Sequence, residues 1–229
     1  MSITVDGLAD PVVINLTGSG NYRPTLKGGM GVYSGNPAVA GIYTEYATIN
    51  SKLAYKRGNS GTVYYMYYIP AVVVPGFWVI DVSDSLTDSG TAMYRSAESV
   101  TSPDLVTTWN TSENFPVFNV DNVTGPVIAG DAFYANTNST VYAYYLYDDK
   151  DGDAENGTTF QWYRCDSVDE SNVGAAISGA DSSSYLITNS DLGSWLKVEV
   201  MPKSASGISE GQPVKSAASP QITNAAILE

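Results

Sequence analysis

The residues best suited to chemistry are the four carboxylates of residues 149–155. They are Asp149, Asp151, Asp153 and Glu155. Calcium takes about six to eight hard oxygen ligands, and carboxylates clustered around a glycine turn supply them. The order differs from an EF-hand loop, because Gly152 follows Asp149 too early and Phe160 occupies the last ligand position. The string therefore predicts either a low-affinity calcium site or a solvated polar turn.

Other catalytic or metal chemistry has little support in this sequence. Histidine is absent, which removes Ser-His-Asp triads, Cys-His dyads and histidine-ligated zinc. The acids considered in the first half are Glu45, Asp81, Asp84 and Asp88. Their spacing does not suggest the paired carboxyls, about 5 to 9.5 Å apart, of a glycosidase. We expect no enzyme activity, and no cofactor apart from the calcium candidate.

The charge balance and the single cysteine narrow the class of protein. The net charge is −13 and the isoelectric point is near 4.2, which disfavours binding to nucleic acid because no cationic surface faces the phosphates. No segment approaches the roughly 18 apolar residues of a membrane span, and the first ten residues lack the pattern of an export signal. Cys165 cannot form an intrachain disulfide and is expected to be a small, partly buried side chain.

The candidate residues must be positioned by β-strands, because alternating apolar and polar residues are the prevailing pattern in the sequence. Apolar and polar residues alternate over 160–165 and 196–200, as is typical of strands with one buried face. We predict that Trp162 is the core anchor of the second half and packs near Tyr185 and Leu196. No convincing helical stripe occurs, so the sequence predicts an all-β fold.

The second half resembles a known class of module. It carries Asp-x-Asp-Gly-Asp at 149–153, Phe-Gln-Trp-Tyr-Arg at 160–164, Ile-Ser-Gly-Ala at 177–180, Ser-Tyr at 184–185 and Asp-Leu-Gly-Ser-Trp-Leu at 191–196. These strings are similar to those of the immunoglobulin-like modules of bacterial surface proteins and phage structural proteins. The resemblance covers about residues 127–223 and implies an Ig-like β-sandwich over 126–229. Such modules display and space other parts and do not catalyse.

The first half resembles a small aromatic-rich β module of phage structural and bacterial surface proteins, which we place at residues 31–120. Strand-length aromatic runs occur at 41–58, 63–68, 77–81 and 92–96, with a hairpin predicted at Asn50-Ser51. Serine tolerates a positive φ less well than the glycine usual in such turns. Residues 1–30, rich in glycine toward their end, are interpreted as an N-terminal arm or attachment segment, and 117–126 as a linker.

Five aromatic residues are the candidates for binding or an interface. They are Tyr65, Tyr67, Tyr68, Phe77 and Trp78. A strand with tyrosines on both faces can bury one face in its own core, while the other needs a second domain, another subunit or a ligand. Sugar rings stack on exposed aromatic side chains, so host-surface glycans are one expected ligand.

The resemblance and the bulk composition together predict a non-enzymatic structural protein of a bacteriophage virion. It would be a capsid decoration protein, a head fibre or a tail-associated protein that displays the Ig-like domain. Its partners would be capsid or tail proteins and further copies of itself, with a trimer as the first guess. Assembly in the host cytoplasm would reconcile a surface role with the missing export signal. The alternative is a carbohydrate-binding or adhesin module at the bacterial cell surface.

Overall fold

The chain folds into antiparallel β-sheets. The computed structural model describes residues 22–34, 39, 41–58, 62–70, 76–82, 94–96, 98–106, 109–111, 117–130, 136–169 and 171–224. The regular elements in these ranges are strands and two short 3₁₀ turns, Pro103–Leu105 and Asn189–Asp191. The all-β class predicted from the sequence is confirmed. The strands proposed near the N-terminus and the run 71–75 lie outside the described residues.

One eight-stranded sheet forms most of the first half. The first strand of the chain, β1 (Thr25–Leu26), precedes this sheet and pairs elsewhere. The strands of the sheet are β2 (Gly29–Ser34), β3 (Gly41–Ile49), β4 (Lys52–Arg57), β5 (Tyr64–Ile69), β6 (Phe77–Asp81), β7 (Tyr94–Ser96), β8 (Trp109–Thr111) and β9 (Val117–Val123). Strands β2 to β8 lie beside their neighbours in the chain, and β9 returns to form the opposite edge next to β2.

One face of this sheet carries the larger hydrophobic core of the first half. Alternate residues of β5 and β6, among them Met66, Tyr68, Trp78 and Ile80, pack there with Tyr43 from β3. Trp78 donates its indole hydrogen to the carbonyl of Val100, 3.2 Å away. The period-two pattern of the sequence therefore positions large side chains on a common face.

The β3–β4 hairpin predicted at Asn50-Ser51 is present. Ile49 pairs with Lys52, and the two central residues have φ angles of 50° and 63°. Two consecutive left-handed residues are typical of a type I′ turn, which suits the right-handed twist of the strands. The Asn50 side chain also donates to the Tyr68 carbonyl at 2.9 Å.

Ser51→Gly is expected to raise the free energy of unfolding by about 0.5 to 1 kcal/mol, because glycine adopts a positive φ without the Cβ clash that serine suffers. Chemical denaturation of the full chain measures the change. The matched control is Ser183→Gly, at an exposed serine outside the left-handed region. That control should be neutral or destabilising, and an equal gain in both variants would contradict the turn argument.

The second half contains two sheets that share one core. The smaller sheet joins β10 (Val127–Gly130), β11 (Thr140–Tyr144) and β15 (Ser184–Leu186), while β12 (Tyr147–Asp148) pairs with β1. The larger sheet joins β13 (Thr159–Cys165), β14 (Ala175–Ala176), β16 (Trp195–Met201) and β17 (Val214–Lys215). Ile128 and Val141 from the smaller sheet meet Trp162 and Val198 from the larger one in a single cluster.

The opposite face of β13 and β16 is also partly covered, which the alternating pattern did not indicate. Lys197 is only 3% exposed and Cys165 is fully buried. The Lys197 ammonium donates to the carbonyls of Asp169, at 3.0 Å, and Asn172, at 2.7 Å. The loop after β13 therefore folds back over this face, and burial raises the pKa of the Cys165 thiol.

Two segments next to the predicted boundary between the halves form strands that the sequence pattern did not indicate. Residues 117–123, interpreted as part of a linker, form β9 and pair with β2. Only Thr124, Gly125 and Pro126 separate β9 from β10. Residues 22–28, assigned to an arm, contact the second half instead: β1 pairs with β12, and Leu26 packs against the core of Trp162. A strand of two residues is too short to show a periodic pattern. The pairing of β1 with β12 could therefore not be predicted from the local sequence.

The chain therefore crosses between the halves twice at one place. It enters the sheet at Gly29 and leaves at Val123, and these two residues are paired across β2 and β9. A Cβ atom on Gly28 would clash with the Val123 carbonyl oxygen, so glycine allows the two connections to approach each other closely. Two adjacent connections restrain the second half more than a single linker would.

Candidate functional site

The acidic string forms a tight turn directly after β12. The Gly152 amide donates to the Asp149 carbonyl at 3.1 Å, and Gly152 has a φ of 80°, which favours glycine. The Asp149 Oδ1 accepts the Asp151 amide at 2.8 Å. The turn brings alternate residues of the string to the same side, as a ligand loop requires.

Three of the four predicted carboxylates meet at this turn. One carboxylate oxygen from each of Asp149, Asp151 and Asp153 lies within 4.8 Å of the other two. The Asp153 Oδ1 accepts the Ser206 hydroxyl at 2.6 Å, and the Asp151 Oδ2 accepts the Tyr22 amide at 3.0 Å. Hydrogen bonds to other segments thus hold the carboxylates in place.

Two carboxylate oxygens of these residues have no hydrogen-bond donor among the residues that the structure describes. They are the Asp149 Oδ2 and the Asp153 Oδ2, and both are shielded from solvent. A buried carboxylate oxygen without a donor is costly, because it loses its hydration and gains nothing in return. A hard cation would satisfy both oxygens at once. The donor set, oxygen only and anionic, fits calcium.

The fourth predicted ligand, Glu155, does not join the cluster. Its Oε1 accepts the Tyr145 hydroxyl at 2.8 Å and the Thr158 hydroxyl at 2.6 Å. Burial and the neighbouring Glu155 carboxylate raise the pKa of Tyr145 to about 12. Glu155 instead ties the end of the acidic string to the start of β13.

The five predicted contact aromatics divide between the two faces of the eight-stranded sheet. Tyr68 and Trp78 belong to the larger core, whereas Tyr65, Tyr67 and Phe77 lie on the opposite face with Val79. The expectation of an exposed contact surface is wrong for Tyr67, Tyr68 and Trp78, which are buried within the single chain. Tyr65 and Phe77 are half-buried. The alternation of residues in the sequence predicted correctly that these aromatic residues lie on two faces of the sheet. It could not predict how far each face is buried.

The exposed aromatic side chain nearest to this set is Tyr46 on β3. It is 45% exposed and packs edge-on against Tyr65, with ring centroids 5.6 Å apart. The Lys56 ammonium lies 4.9 Å from the centre of the Tyr46 ring. The sequence alone did not distinguish Tyr46 from the other tyrosines, because its strand has polar neighbours and a bulge between Glu45 and Ala47.

The core anchors predicted in the second half occupy one cluster. Trp162 and Leu196 are fully buried, and the Trp162 ring stacks on Tyr185 with centroids 5.7 Å apart. The Tyr185 hydroxyl continues from this stack to Asp191, donating to its Oδ2 at 2.9 Å. Tyr185 thus joins the apolar core to a polar group.

Asp191 is a fully buried hydrogen-bond acceptor that the sequence analysis did not single out for a role of its own. It accepts from Arg164 Nε at 2.9 Å and from the amide and hydroxyl of Thr188, at 2.7 and 2.8 Å. Burial by itself would raise the pKa of Asp191, but the hydrogen bonds from Thr188, Arg164 and Tyr185 lower it below its usual value. Asp191 of the Asp-Leu-Gly string therefore has a structural role, as the acceptor of these hydrogen bonds.

Comparisons of the chain with protein-family models, with curated proteins and with solved structures give no match. Among the described residues, no helix has the length and apolar character needed to cross a membrane.

Proposed function

We propose that the chain is a non-enzymatic structural protein of a bacteriophage virion, which presents its second half as an Ig-like display domain. The observation that carries this proposal is the paired connection at Gly29 and Val123. A display protein must hold a domain at a set orientation, and two adjacent strands resist bending better than one flexible linker.

The Ig-like assignment of the second half has support from its packing. Two antiparallel sheets enclose one core, and a buried tryptophan on β13 faces apolar residues of β16. An inward tryptophan between two sheets is typical of immunoglobulin-like sandwiches. The signature strings at 160–164 and 191–196 coincide with this core and with the Asp191 hydrogen bonds.

The experiment is to locate the protein on particles. Phage particles from the source culture are purified on a density gradient, analysed by mass spectrometry and labelled with gold-conjugated antibody against the second half. We expect the protein in the particle band, with gold on the outer surface of the head or tail. Absence from particles together with recovery in the bacterial envelope fraction would reject the virion role and favour the adhesin alternative.

Self-association belongs to this proposal, with a trimer as the first state to test. Tyr67 and Tyr68 of β5 are buried within the chain, so they do not argue for a partner. Tyr46 on β3 and Leu53 on β4 remain about half exposed. Tyr46 packs on Tyr65 while Leu53 alternates with the core residue Tyr55, so they offer apolar contact area on opposite faces of the sheet. Sedimentation equilibrium of the full chain measures the oligomeric state. A monomer at all concentrations, without affinity for capsids or tails, would contradict the proposed self-association.

A carbohydrate-binding role is the second candidate, and the Tyr46 side chain is the observation that favours it. An exposed ring beside Tyr65 and Lys56 offers a stacking face with a hydrogen-bond donor close by. A glycan array with wild-type protein and with Tyr46→Ala, run with and without calcium, tests this role. Loss of a signal in the variant would support it, whereas no wild-type signal under either condition would reject it.

A further inference from the structure

We propose that Asp149, Asp151 and Asp153 bind a calcium ion, and that the ion fastens residues 22–27 to the second half of the molecule. The site does not depend on the virion role. Clustering of three carboxylate oxygens within 4.8 Å is the first observation. The second and independent observation is the pair of solvent-shielded oxygens, one on Asp149 and one on Asp153, that have no donor in the described part of the chain.

The two unpartnered oxygens indicate a cation in place of another hydrogen-bond donor. Each carboxylate of the cluster already accepts one hydrogen bond, from Ser206, from Tyr22 or from the turn itself. Those bonds use the Oδ1 atoms of Asp149 and Asp153, whereas their Oδ2 atoms are shielded from solvent and accept no hydrogen bond from the described residues. Buried, negatively charged oxygens in close proximity repel one another unless a positive charge lies between them.

The donor chemistry selects calcium from the common metal ions. Transition metals prefer imidazole and thiolate ligands, but the chain has no histidine and its one cysteine is buried in β13. Magnesium requires a near-ideal octahedron, whereas calcium accepts irregular oxygen sets completed by water. With only three carboxylates, the affinity should resemble that of extracellular calcium modules, about 10⁻⁴ to 10⁻³ M.

The segment that precedes the eight-stranded sheet lies directly against this site. The Tyr22 amide donates to the same Asp151 carboxylate that contributes to the cluster. The Lys150 ammonium lies 5.3 Å from the centre of the Tyr22 ring, and β1 pairs with β12 just before the turn. Asp151 therefore links the ion to the backbone of residues 22–27, and an ion that fixes Asp151 also fixes this segment.

The binding test uses the full chain with Ca²⁺, Mg²⁺ and Tb³⁺ as probes. Tyr147, whose hydroxyl donates to the Asp153 carbonyl at 3.1 Å, is placed to sensitise Tb³⁺ luminescence. We expect Tb³⁺ luminescence that Ca²⁺ displaces and Mg²⁺ does not. At about 10 mM Ca²⁺ the melting temperature should rise by at least about 3 °C.

Two variants and a matched control locate the effect. Asp149→Asn combined with Asp153→Asn should abolish the luminescence and the calcium-dependent rise in melting temperature, with an unchanged circular dichroism spectrum in EGTA. Asp181→Asn, at an exposed acid outside the cluster, should behave as wild type. Absence of any calcium response in the wild type, or an equal response in the double variant, would overturn the site.

Hydrogen exchange of residues 22–27 tests the fastening step separately. The Tyr22 and Lys27 amides are hydrogen-bonded to Asp151 and to the Leu146 carbonyl, so calcium should slow their exchange severalfold relative to EGTA. The double variant should lose this calcium dependence. Calcium binding that leaves the exchange of this segment unchanged would retain the site and overturn the fastening.

Discussion

A Trp162→Ala variant is expected to lose about 3 to 5 kcal/mol of unfolding free energy. The side chain is fully buried, stacks on Tyr185 and donates its indole hydrogen to the Ser182 carbonyl at 2.9 Å. Truncation removes the ring contacts from both sheets at once and leaves the Ser182 carbonyl without this donor. Urea denaturation of the full chain, followed by circular dichroism, measures the loss.

Trp195 supplies the matched control for this variant. It begins β16, pairs directly with Cys165 of β13 and is only half-buried. Trp195→Ala should therefore cost less than half as much as Trp162→Ala. Equal losses from the two variants would show that Trp162 does not anchor the core.

The second large effect is expected from Asp191→Asn, which should cost about 3 to 5 kcal/mol. The amide group keeps the size of the carboxyl but replaces one acceptor by a donor and removes the negative charge. Arg164, Tyr185 and the Thr188 amide all donate hydrogen bonds to this side chain. In the variant the new amide group is itself a donor and faces one of these donors. The Arg164 guanidinium also loses its counter-ion. Thermal and urea denaturation measure the change.

The same carboxylate predicts a specific pH dependence. Its pKa is lowered in the folded state, so the unfolded chain binds the proton more readily. The stabilisation is therefore complete above the unfolded pKa of about 3.9 and is lost as the pH falls through the lower, folded pKa. Below about pH 4 the wild type should lose stability more steeply than Asp191→Asn. Parallel curves for the two proteins would contradict the role given to Asp191.

Local patterns explain which parts of the fold the sequence could predict. Alternation and turn residues identified the strand around Trp162, the hairpin at Asn50-Ser51 and the all-β class, because these depend on neighbours in the chain. The acidic string indicated for the same reason which carboxylates meet at one turn. Glu155 lies outside that cluster, because Tyr145 and Thr158 donate to it from outside the turn.

Long-range packing explains what the sequence could not predict. Tyr67 is buried with Ala54 and Val79 from other strands of the sheet, and no periodicity within β5 predicts how fully they enclose it. Lys197 occupies a position that alternation assigns to solvent, yet a loop supplies carbonyl partners for its ammonium. The pairing of β1 with β12 joins residues more than a hundred positions apart, which only the folded chain reveals.

The adjacent entry and exit at Gly29 and Val123 give the chain an insertion architecture. Residues 22–28 and 127–224 form one discontinuous unit, and the whole eight-stranded sheet is an insert between its first strand and the rest. Chains tolerate inserts where the two ends lie close together at the surface. The sheet should therefore be replaceable by a short turn that joins residue 28 to residue 124, whereas a fragment that begins at residue 126 lacks the strand that closes its acidic turn.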